Sequence, residues 1–188
     1  VLHTVENERP VLRRFVRDID PGDHVVDVGA NLGVYSALAL DAGADVTAVE
    51  AHSPTAERLA ANCPDAVVRD CALGAEAGRV ALAVSNDTAG TQRPTVDGDG
   101  DTVRQLPGDD LPAPDVLKID VEGAEVDVLD GFCETLRDDP PRVVFVEVHG
   151  DALRAGVELR LVAAGYDVPT AVSVGADETM LRATHERV

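Results

Sequence analysis

Lys118, Asp120, Glu122 and Glu125 crowd into one stretch, "LKIDVEGAEVDVLDGF" (117–132), and Lys118 is the only lysine of the chain. A second polar pair, Glu147 and His149, closes "RVVFVEVHG" (142–150). Both stretches begin as apolar runs, the pattern of strands buried on both faces. The polar residues then fall at strand ends, with 118 and 120 sharing one strand face, and 147 and 149 likewise. Three kinds of chemistry are open to such a group. His149 or Asp120 can serve as a general base oriented by Glu147, because imidazole titrates near neutrality. Asp120, Glu147 and His149 can ligate a divalent metal, although their spacing is no diagnostic metal motif. The third possibility is structural: a buried Lys118 needs a counter-charge, which Glu147 or Asp27 would supply. Glu122 and Glu125 open a helix, where carboxylates favour the macrodipole. Glu125 is expected to fix that turn, while Glu122 can face a pocket.

The segments that must position these residues alternate strand and helix. An amphipathic helix is expected over Glu6 to Arg17, with Val11, Leu12, Phe15 and Val16 on one face. Strands follow at "HVVDVG" (24–29), "DVTAVE" (45–50) and "AVVRD" (66–70). Helices separate them at 33–43 and 53–61, which is the signature of a parallel sheet with crossover helices. "RVALAVS" (79–85) is a further strand, and "DTVRQL" (101–106) a weak one. The Asp-, Gly- and Pro-rich region 86–112 reads as a variable loop able to lie over a pocket as a lid. Its "DGDGD" run (97–101) fails the glycine and glutamate positions of a calcium loop and reads as a solvated acidic turn. Strands at 115–120 and 142–148 flank a helix that begins at Ala124. A last helix spans 153–164, and "YDVPT" and "TMLRAT" are candidate final strands. One domain is expected over 1–188, with residues 1–20 as an N-terminal helical extension.

Sheets of this kind bind ligands at the carboxyl ends of their strands. The first turn, "VVDVGANLG", places Asp27 just before Gly29, Asn31 and Gly33. A dinucleotide loop needs glycine at its middle position so that backbone can approach a pyrophosphate. Asn31 stands there instead. A cofactor without phosphate and with a positive amino-acid end fits better, and S-adenosylmethionine is such a ligand. Glu50, followed by Ala51, ends the second strand where an acid can accept both ribose hydroxyls. Asp70 and Cys71 end the third strand and would flank the adenine, although a small buried cysteine needs no function.

These stretches, with "AVEAHSP", "CALG", "LKIDVEGAEVDVLDGF" and "VVFVEVHG", resemble the FkbM-type family of S-adenosylmethionine-dependent methyltransferases over roughly 23–150. The resemblance implies an α/β fold of class I methyltransferase type. That is a mostly parallel, seven-stranded, Rossmann-like sheet with helices on both faces and one antiparallel strand near the C-terminus. It also implies O-methylation of a hydroxyl on a sugar, lipid or other small molecule. Asp27, Gly29, Asn31, Gly33, Glu50, Ala51, Asp70, Cys71 and Asp120 are then the expected cofactor residues, and His149, Asp120 and Glu147 the expected catalytic ones. His52 departs from the commoner form of its motif, at the adenosine edge. Two other classes remain open: an NAD-dependent oxidoreductase, disfavoured by Asn31 and by the lack of a Tyr-x-x-x-Lys pair, and a non-catalytic binding module.

The net charge of −19 argues against DNA or RNA as partner, since there is no basic patch to displace counterions. The same charge argues against anionic membrane surfaces. It predicts a halophilic protein whose melting temperature rises from low to molar KCl, because salt screens the self-repulsion. Cys63, Cys71 and Cys133 show no paired spacing, as expected of reduced thiols in a cytoplasm.

Overall fold

The computed structural model describes residues 2–84, 92–95, 101–173 and 178–186. The chain runs α1 (Leu2–Arg17), β1 (His24–Val28), α2 (Val34–Asp41), β2 (Asp45–Glu50), α3 (Ser53–Asn62), β3 (Val67–Asp70), β4 (Ala72–Leu73), β5 (Gly78–Val84), β6 (Gln92–Thr95) and β7 (Asp101–Leu106). It continues through β8 (Val116–Ile119), α4 (Glu125–Gly131), α5 (Cys133–Asp138), β9 (Val143–His149), α6 (Asp151–Ala163), β10 (Thr170–Ser173) and β11 (Glu178–Thr184).

Seven strands form one sheet in the order β10-β11-β9-β8-β1-β2-β3. β11 runs antiparallel to both its neighbours, and every other neighbouring pair is parallel. The expected fold class holds, with the final strand as the reversed one. The chain builds outward from β1 to β3, then returns to lay β8 and β9 on the other side of β1. Strand order therefore reverses between β1 and β8, and their carboxyl ends open a crevice there.

Alternation along the strands divides the core. Val26, Val28, Leu117 and Ile119 pack with Val128 and Leu129 of α4, Leu136 of α5 and Leu161 of α6. Val25, Val116 and Phe145 pack on the opposite face with Phe15 of α1, Tyr35 of α2 and Leu59 of α3. The N-terminal helix is thus part of the core. The Phe15 ring is fully buried, edge-on to Tyr35 and Phe145 at 5.0 and 5.4 Å.

Three local expectations are revised. The helix after β8 breaks at Phe132 into α4 and α5, and Asp109 caps the second piece by accepting the N–H groups of Glu134 and Thr135. "YDVPT" is irregular up to Pro169, which has no N–H for a ladder, and β10 starts only at Thr170. Most notably, the middle of the chain forms a second sheet, β4-β7-β5-β6. It docks on α4 so closely that a Cβ on Gly131 would lie 2.2 Å from the Gly74 carbonyl oxygen. Of the expected 86–112 loop, residues 86–91 and 96–100, with most of "DGDGD", lie outside the described residues. The described parts are β6, β7 and a single 3-10 turn at Gly108–Asp110. No helix among the described residues is long and apolar enough to cross a membrane.

Candidate active site

The crevice at the strand-order reversal is a pocket of about 750 Å3. Gly29 and Asn31 line it from the first turn, Glu50 and Ala51 from the end of β2, and Asp120 and Glu122 from the turn after β8. The two turns nearly touch. Gly29 has φ 74°, and a Cβ there would lie 1.7 Å from the Asp120 carbonyl oxygen. Neither backbone can yield without breaking the Asp120 N–H bond to the Val28 carbonyl, at 2.9 Å. Gly29→Ala should cost on the order of 3 kcal/mol or more in urea unfolding. Gly22→Ala is the control: its φ is 91° with nothing within 4 Å of the added atom, so it should cost only about 1–2 kcal/mol.

Asn31 adopts φ 50°, a conformation Asn tolerates better than most residues. Its N–H donates to Glu50 Oε2 at 2.9 Å, and the His52 N–H donates to Glu50 Oε1 at 2.9 Å. Two backbone donors thus pin the carboxylate, and each oxygen keeps lone-pair capacity for a ligand hydroxyl. Val49, Cys71 and Leu73 add an apolar wall. A pinned acid beside an apolar slot suits a ribose and its base. The His52 ring turns aside and bonds Thr55 Oγ1 at 2.8 Å.

Several expected cofactor residues lie elsewhere. Asp27 is fully buried and absent from the pocket wall. Its side chain projects to the α2 face, where it accepts from Ser36 at 2.7 Å and pairs with Lys118 Nζ at 3.2 Å. Gly33 also lies off the pocket, because α3 needs its space: a Cβ would stand 2.7 Å from Leu59 and 2.8 Å from Cys63 Sγ. Asp70 is not part of the pocket wall and accepts from Ser53 Oγ at 3.0 Å, whereas its neighbour Cys71 does line the pocket.

Lys118 is buried by the register that pairs it with Asp27 across β1 and β8. Its Nζ also lies 3.4 Å from Asp120 Oδ2 and from the Gly29 carbonyl, and 4.8 Å over the Tyr35 ring. Burial pushes its pKa down, but the Asp27 and Asp120 charges outweigh this and hold it above the ordinary lysine range. Of the two counter-ions expected, Asp27 is the one found, joined by Asp120.

His149 Nδ1 donates to Glu125 Oε1 at 2.8 Å, and Nε2 lies 3.3 Å from Glu122 Oε2. The carboxylates that hold the ring are therefore Glu125 and Glu122, not the expected Glu147, which sits opposite Met180 in the β9–β11 ladder. Glu125 also accepts the Gly123 N–H at 2.9 Å, which is the turn-fixing role expected of it. The Glu125 bond, aided by the Glu122 and Asp120 charges and opposed by burial, pushes the His149 pKa up to about 9. That shift favours the protonated imidazole and so weakens His149 as a general base. Sequence reasoning also missed Arg79 and Gln105, which line the pocket from β5 and β7. Only the non-local pairing of those strands brings them there.

The methyltransferase FkbM domain matches residues 27–168. The hexuronic acid methyltransferase AglP of Haloferax volcanii is 30% identical over 159 residues, covering 79% of this chain and 65% of its own length. The ribosomal RNA small subunit methyltransferase A of Bifidobacterium adolescentis is 45% identical over 64 residues, covering 31% of this chain and 21% of its own. The chain thus spans just under two thirds of the first relative and about a fifth of the second. Among solved structures, magnesium protoporphyrin IX methyltransferase of Synechocystis PCC 6803, with S-adenosylmethionine bound, superposes with a TM-score of 0.63. It is 13% identical, and the match covers 98% of this chain and 81% of that one.

Proposed function

The chain belongs to the FkbM methyltransferase domain family, and from that premise we propose that it transfers a methyl group from S-adenosylmethionine to an oxygen of a sugar acceptor. The observation that carries the cofactor assignment is Glu50, pinned at the pocket by two backbone N–H groups with its acceptor capacity turned to a ribose. Asn31 supports it, since a side chain stands where a pyrophosphate loop needs glycine. S-adenosylmethionine supplies an electrophilic methyl on a sulfonium. Glu50, Ala51 and Cys71 would hold its adenosine end, and Gly29 and Asn31 the amino-acid side.

What remains for the protein is alignment and exclusion of water. Asp120 lines the pocket and is steadied by Lys118. It is the residue proposed to accept the hydrogen bond of the acceptor hydroxyl and take its proton. His149 keeps the turn after β8 in place through Glu122 and Glu125.

The sugar reading draws on the relative named for a hexuronic acid. The pocket is consistent with such an acceptor. Arg79 is the sole lysine or arginine among its described lining residues, against the acids Glu50, Glu76, Asp120, Glu122 and Asp127. A carboxylate-bearing sugar would seek that cation. The net charge of −19 speaks against RNA as acceptor, and three free thiols fit a reducing compartment.

The test is transfer of labelled methyl from S-adenosylmethionine to uronic and to neutral sugar glycosides. Transfer to neither class ends the sugar reading. Arg79→Ala should raise KM for the uronic acceptor about 10-fold or more, with kcat little changed. An unchanged KM would remove Arg79 from acceptor binding.

A further inference from the structure

We propose that Asp120, Glu122 and His149 hold a divalent cation at the edge of the pocket, placed to take an acceptor oxygen as an added ligand. The last clause rests on the methyl-transfer reading; the cation site does not. One donor atom from each residue lies within 4.8 Å of the other two. Donors about 2.1–2.4 Å from a shared ion lie up to roughly 4.8 Å apart, so the cluster has the span of a first coordination shell.

The histidine is oriented for this task. Nδ1 donates its hydrogen bond to Glu125 at 2.8 Å, which leaves Nε2 directed at Glu122, where a bound cation would take the place of a proton. A carboxylate that grips the far nitrogen is the usual support of a metal-bound imidazole. That carboxylate also supplies an independent sign of a missing positive charge. Glu125 is fully buried, and its Oε2 has no hydrogen-bond partner among the described residues. A buried acid with one oxygen unmatched is costly unless a nearby cation compensates it. Lys118 does not serve, since its ammonium is shared between Asp27 and Asp120, and His149 meets Glu125 through Oε1 and leaves Oε2 unmatched. A dication among Asp120, Glu122 and His149 would offset the acids around it. Two carboxylates and one imidazole suit Mn2+ or Mg2+ with positions left for other ligands. Asp120 and Glu122 line the pocket, so those positions would open towards the acceptor.

An acid-rich protein binds cations loosely everywhere, and the experiment has to separate that background. Chelator-treated protein in molar KCl is titrated with Mn2+ and bound ion is read by electron paramagnetic resonance. S-adenosylhomocysteine affinity is measured in parallel. One saturable site per chain is expected, weakened 10-fold or more in His149→Ala and in Glu122→Gln. The Asp41→Asn, Glu57→Gln double variant, at exposed positions, should bind as the wild type does. Circular dichroism melts identify any variant that has failed to fold, and either of the two site variants suffices. Equal Mn2+ binding by the wild type and a folded site variant overturns the cation site, as does no saturable site at all. S-adenosylhomocysteine binding that persists in that case leaves the methyltransferase reading standing. A saturable Mn2+ site in a protein that ignores S-adenosylhomocysteine supports the cation site and sinks the methyl-transfer reading instead.

Discussion

Lys118→Met is expected to lower unfolding stability by about 3–5 kcal/mol, the cost of stranding a buried charge. Asp27 is 0% exposed and faces Lys118 across the β1–β8 register, so nothing solvates it once the ammonium is gone. Ser36 would remain as its donor, a neutral group that offsets little of the charge. The paired double variant, Lys118→Met with Asp27→Asn, should recover much of the loss, because it removes both charges together. Urea unfolding of the four proteins in the cycle measures this. Simple additivity of the two single losses would dismiss the pair as an energetic unit. The sign of the pH dependence follows from the raised lysine pKa. The contribution is full below the unfolded lysine value of about 10.4 and fades only as pH climbs through the higher folded value.

Glu50→Ala should weaken S-adenosylhomocysteine binding about 100-fold. Two charge-assisted hydrogen bonds to ribose are worth about 3 kcal/mol together, and that corresponds to two orders of magnitude. The variant also strands the N–H groups of Asn31 and His52, so a modest loss of stability should accompany it. Glu50→Gln separates the two effects. It keeps one acceptor oxygen and the shape of the turn, and should bind with intermediate affinity. Calorimetric titration gives both numbers. An affinity within twofold of the wild type in Glu50→Ala would remove the ribose assignment.

The main sheet was legible because its signals are local. "HVVDVG", "DVTAVE" and "RVVFVEV" are short apolar runs bounded by turn residues, and helical periodicity lies between them. Gly29, Asn31 and Glu50 could be placed at the pocket because a strand end and a tight turn are each readable from a few neighbours. The second sheet was not legible. β4 has two residues, β6 includes Pro94, and β5 pairs with β7 across a long intervening segment. No periodicity within any one of them announces that pairing, and Arg79 and Gln105 went unseen with it.

The carboxylates show the same division. Sequence alone determined that Lys118 would be buried and need an acid, that Glu125 would fix a turn, and that Asp120 would stand at the carboxyl end of its strand. Those conclusions need only strand alternation and the cost of a buried charge. Only the tertiary structure decided which acid meets which base. Register between β1 and β8 gave Lys118 to Asp27 and so withdrew Asp27 from the pocket. The approach of the turn after β8 to the end of β9 gave His149 to Glu125 and Glu122, and took Glu147 out of the expected arrangement. An ion pair is fixed by distances of a few ångströms between atoms far apart in the chain. A sequence lists the charges, but it takes the packed sheet to set those distances.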